Sequence, residues 1–144
     1  VSDSWGGTIG GLKDLRAAQV VTHAAWDGAR LVDSGTSEID IPVLTIGGER
    51  DATVRTRYLD LHSYVRATPN ARASFYEAGH FTPTPIYCIA WGDGCGPSYM
   101  DPDVYAEITQ TSTLAFLQHN RGYAGAWEQI VEDPTVVDWV RVRE

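Results

Sequence analysis

Three short stretches of this 144-residue chain carry residue types that could act on one another. In Ser2-Asp3-Ser4-Trp5-Gly6-Gly7 the side chains two positions before and after Ser4 are small, as a tight strand-to-helix turn demands, because bulky groups would clash there. Such a turn lifts the serine oxygen clear of the backbone and leaves the Trp5 N–H free to bind a developing oxyanion. The second stretch, PVLTIGGERD, is an apolar strand that ends in glycines and offers Asp51 just past its carboxyl end, the edge at which open α/β sheets bind ligands. The third, Glu77-Ala78-Gly79-His80-Phe81, sets an imidazole on a glycine-containing turn. Taken singly each is ordinary: Ser and Gly cluster in turns, Asp51 could cap a helix starting near Thr56, and a lone histidine is commonly a loop residue. Taken together they supply a hydroxyl nucleophile, an orienting carboxylate and a base, in the chain order Ser, Asp, His.

The elements that must position them follow from hydrophobic patterning. Residues 19–25 (QVVTHAA) and 41–46 (IPVLTI) are short, β-branched apolar runs bounded by Gly, Asp and Pro, as buried parallel strands are. Residues 26–40 between them read as a loop. Tyr58, Leu61, His62 and Val65 recur at helical spacing within 56–68, where Pro69-Asn70 stops the helix, and a third strand is expected at 73–76. Asp101-Pro102 has the chemistry of a helix start, and the run to about His119 sustains one until Gly122. The tail, 123–144, mixes Trp127, Trp139 and valines with charges and suits a helix turn followed by an edge strand. This order of strands and helices is that of an α/β sheet.

With its Ser, Asp, His order and the motifs PVLTIGGERD and YEAGHF, the sequence resembles the C-terminal half of the α/β-hydrolase superfamily, most like the dienelactone hydrolase-like and platelet-activating-factor-acetylhydrolase-like serine esterases. The resemblance spans about residues 1–118. It implies a mostly parallel sheet flanked by helices, with 1–122 forming the C-terminal half of the domain; 123–144 lies outside the resemblance and is expected to pack on the same domain as a C-terminal tail. It further implies a carboxylic ester hydrolase that works through an acyl-enzyme and needs no cofactor, with Ser4 as nucleophile, His80 as base, Asp51 as acid and Trp5 N–H in the oxyanion hole. Two departures bear on Ser4: Ser2 stands where the family has the first Gly of Gly-x-Ser-x-Gly, and Asp3 sets a charge beside the nucleophile. The family's strands before the elbow, and the loop giving the second oxyanion donor, are absent from this chain. The expectation is that a second polypeptide, a cleaved precursor or an N-terminal half outside this sequence completes the sheet. A non-catalytic binding module of the same fold and a serine peptidase using the same triad are the alternatives.

Composition narrows the partners. Eleven Lys+Arg against 19 Asp+Glu give a net charge of −8, which repels nucleic-acid phosphates and anionic membrane surfaces. No apolar run reaches the roughly 18 residues of a spanning helix. A small-molecule ester is the expected substrate, with His23, Trp26, Tyr87 and Trp91 as candidate lining residues and the long segment 81–100 at the pocket mouth. Cys88 and Cys95 lack zinc-site spacing and read as a short-loop disulfide rather than two buried thiols, which favours an extracellular or periplasmic location. The four histidines, at 23, 62, 80 and 119, share no metal-ligand spacing, and His62 and His119 are expected to be structural or solvent-facing.

Overall fold

A computed structural model of the chain describes residues 17–23, 39–54, 62–63, 65–84, 92–128 and 140–143. These form one sheet of four strands in the order β1 (Val20–His23), β2 (Val43–Gly48), β3 (Asn70–Phe75) and β4 (Val140–Arg143), with the helix α1 (Pro102–His119) between β3 and β4 in the chain. The first three strands are parallel and β4 runs antiparallel to β3 at the edge. The arrangement is α/β. Among the described residues no helix is long and apolar enough to cross a membrane.

Register decides which side chains share a face. Val21, Leu44 and Ala71 lie opposite one another across three strands, as do Ile46 and Ala73. With Phe75 they form the apolar face that α1 covers, through Tyr105, Ile108, Ala115 and Phe116. Those helix residues recur three, seven and one positions apart, the spacing of a single stripe. Phe75 meets Tyr105 edge-to-face at 4.9 Å, and Trp127, just beyond the helix, meets Phe116 at 5.9 Å. The helix begins as its sequence requires: Asp101 caps it by accepting from Asp103 N at 2.8 Å, and Pro102 occupies the first turn, where no N–H is needed. Gly122, at φ +86°, takes the chain out of it.

Strand boundaries shift from those the pattern suggests, for local reasons. β2 starts two residues later and runs two further, through Gly47 and Gly48, which pair with Ser74 and Phe75. β3 starts at Asn70 rather than Ala73, because Ala71 and Ala73 alternate onto the buried face; the intervening Arg72 hides that alternation from a hydrophobicity reading. Within the expected helix at 56–68, His62 and Ser63 are helical, but Val65 to Ala67 are not. Pro69 disfavours helical geometry in the residue before it, and the Asn70 side chain caps the freed carbonyls, donating to His62 O at 2.8 Å and Val65 O at 3.0 Å. The rest of that helix, the loop at 26–38 and the Ser4 elbow lie outside the described residues.

Phe116 is 1 % exposed at the centre of this packing, whereas Leu114 on the same helix is 55 % exposed. Phe116→Ala is expected to cost about 3–5 kcal/mol, and Leu114→Ala to stay within about 0.5 kcal/mol of the parent, both read from urea unfolding midpoints.

Candidate active site

The site is built where β2 and β3, adjacent and parallel, release the chain at the same edge of the sheet. Past Gly48 the backbone turns sharply: Asp51 N donates to Gly48 O at 3.2 Å, while Glu49 N and Arg50 N donate across to Phe75 O at 2.9 Å and Ala78 O at 3.0 Å. The acid turn is thus stitched to the start of the histidine turn. Gly48 is needed for this approach, because a Cβ there would overlap the Ala78 carbonyl.

Asp51 is 3 % exposed, and its carboxylate is fully engaged. Oδ1 accepts from Thr53 N at 2.9 Å and Val54 N at 2.7 Å, and Oδ2 faces His80 Nδ1 at 2.9 Å. Charge-assisted bonds of this kind replace the water that burial removes. The His80 ring is partly exposed, with a side-chain accessibility of 24 %, and is steadied by an edge-to-face contact with Phe81 at 4.8 Å. With Nδ1 donating to a carboxylate, the neutral ring carries its free lone pair on Nε2, the state in which an imidazole accepts a proton.

Behind the histidine lies a layer of hydrogen bonds that local sequence pattern does not reveal. Gly79 N donates to Thr82 Oγ1 at 2.9 Å, and Thr82 in turn donates to Gly94 O at 3.2 Å. Phe81 N donates to Asp93 O at 2.9 Å, and Met100 N to Glu77 O at 2.8 Å. Arg50 spans the same loops, donating from Nη1 to Ser98 O and lying 3.8 Å from Glu77. Segment 92–100 therefore packs against the histidine turn as its support. Its glycines at 92 and 94, with φ of +67° and +100°, flank the buried Asp93. In the sequence Asp93 shows only as an acid between two glycines shortly after the histidine motif, a pattern that does not announce its burial or its contacts.

Of the other candidate residues, His23 stands at the carboxyl end of β1, in register with Ile46. Although much of the residue is exposed, desolvation of its ring lowers its pKa below the usual 6.5. Ser4, Trp5, Trp26, Tyr87, Trp91 and Cys88 lie outside the described residues. Cys95 is disulfide-bonded, in a chain with only one other cysteine, Cys88. An open cavity of about 290 Å³ is lined by Cys95, Pro97, Tyr99, Met100 and Pro102; neither Asp51 nor His80 borders it. No family model, curated protein or solved structure matches the chain.

A Cβ on Gly79 would lie 2.6 Å from Asp93 Oδ1 and overlap the Gly94 backbone. Gly79→Ala is therefore expected to destabilise the protein by about 1–3 kcal/mol in urea titrations, with the histidine turn displaced from its support.

Proposed function

We propose that this chain carries the acid and base of a Ser-His-Asp hydrolase of the α/β-hydrolase type, a carboxylic ester hydrolase with Ser4 as its nucleophile. The observation that supports this best is the 2.9 Å contact between His80 Nδ1 and a buried Asp51 carboxylate whose second oxygen is held by two backbone N–H groups. An acid held so firmly orients the ring, stabilises the imidazolium that forms on proton uptake, and leaves Nε2 for the nucleophile. The position supports it too, since the pair sits at the carboxyl edge of parallel strands, where α/β sheets bind ligands.

In this reading His80 Nε2 takes the proton of Ser4 Oγ as the oxygen attacks the ester carbonyl carbon. The Trp5 N–H receives part of the oxyanion charge. The tetrahedral intermediate collapses to the acyl-enzyme as His80 protonates the departing alkoxide. Water then attacks the acyl carbon, giving a proton to His80, and the second collapse returns that proton to Ser4 as the carboxylic acid leaves. His23, Trp26, Tyr87 and Trp91 are the proposed lining of the ester pocket, and further strands from an N-terminal portion or a second polypeptide complete the sheet. The Cys88 and Cys95 pair suits an exported protein.

The test is hydrolysis of a chromogenic short-chain ester, with fluorophosphonate labelling as a direct probe of an activated serine. Ser4→Ala and His80→Ala are expected to lower turnover by on the order of 10⁶-fold and Asp51→Asn by about 10⁴-fold, with labelling lost in Ser4→Ala. Equal rates in parent and variants, and no labelling at Ser4, would leave the binding-module reading in its place.

A further inference from the structure

We propose that Asp93 is a positioning residue for the Asp51–His80 pair, its carboxylate setting their spacing by gripping the acid turn and the histidine turn at once. The proposal rests on the catalytic reading of that pair. Asp93 is 8 % exposed. Its Oδ2 accepts from Ala52 N, Thr53 N and Thr53 Oγ1, each at 2.9 Å, and its Oδ1 accepts from His80 N at 3.3 Å. The two oxygens of one rigid carboxylate thus hold the residues immediately after Asp51 and the backbone of His80 itself. Thr53 N also donates to Asp51 Oδ1 at 2.9 Å, so the two acids share a donor. A displacement of Asp93 therefore moves both partners of the 2.9 Å His80–Asp51 contact relative to one another.

The division of labour between the oxygens makes the role separable from general support of the fold. An asparagine has one acceptor oxygen. If that oxygen keeps the three donors of the acid turn, the amide NH₂ is turned toward the His80 N–H, donor against donor, and the histidine side is released while the acid side stays bound. A carboxylate meets both sides at once because all its lone pairs accept.

The experiment follows the His80 Nδ1 proton by NMR in protein carrying ¹⁵N-histidine, the signal being assigned by its loss in His80→Gln. In Asp93→Asn the far-UV circular dichroism is expected to match the parent, the Nδ1 proton to broaden or vanish through faster solvent exchange, and kcat for ester hydrolysis to fall on the order of 10²-fold, as misplacement by about 1 Å does, with KM unchanged. Thr53→Val, which removes one donor to the carboxylate and alters no group on His80, is expected to speed exchange of the same proton on the order of fivefold, the worth of one net hydrogen bond. A parent-like Nδ1 proton in both variants overturns the proposal. Should Asp93→Asn fail to fold, Thr53→Val decides, parent-like exchange again overturning it. A parent protein without esterase activity counts against the catalytic reading alone, since the proton signal still reports whether Asp93 sets the pair.

Discussion

A carboxylate that has lost its water must find donors, and that requirement at Asp51 organises the whole edge of the sheet around it. Leaving such a group buried and unpaired costs several kcal/mol or more. The protein meets the cost with the N–H groups of Thr53 and Val54 on one oxygen and the imidazole of His80 on the other. The first two are local, so the turn after β2 must curl back on the acid. The third is 29 residues away, so the turn after β3 must arrive at the same point.

Adjacent parallel strands make that arrival possible. β2 and β3 run in register from Val43 with Asn70 to Gly48 with Phe75, and they leave the sheet at the same level. The turns that follow are short and cross-linked by Glu49 N and Arg50 N, so their relative position is inherited from the sheet. The sheet in turn is held by the packing of Phe75 and its neighbours under α1. The contact at the site is thus coupled to a core of which neither residue is a member.

Close approach of backbones demands small residues, and the glycines near the site have that use. Gly48 lies against Ala78, and Gly79 lies against Gly94. Where the chains come this near, side-chain hydroxyls and carboxylates can reach across them: Thr82 joins residues 79 and 94, and Asp93 joins residues 52, 53 and 80. The result is an imidazole whose own hydrogen bond to Asp51 is backed by a second layer of bonds to its backbone, as rigid sites require.

The residues that could act as acid and base were legible in the chain, because a carboxylate after an apolar strand ending in glycines and a histidine on a Gly turn are local patterns. The capped helix at Pro102–His119 was legible for the same reason, its start and stop being written in adjacent residues. Less was legible where neighbours outvote local pattern. The strand Asn70–Phe75 carries Asn and Arg in its first half yet pairs because β2 lies beside it, and the helix before it ends early because Pro69 disfavours helical geometry in the residue before it and the Asn70 side chain meets the freed carbonyls. Asp93 was hidden altogether, since nothing in a Gly-Asp-Gly turn announces that its two oxygens will bridge segments 40 and 13 residues away. The sequence by itself determined which groups were available to act. Only the tertiary structure decided that Asp51 and His80 meet at 2.9 Å and that a second acid stands behind them, because such contacts depend on strand register and chain crossing, which no local window contains.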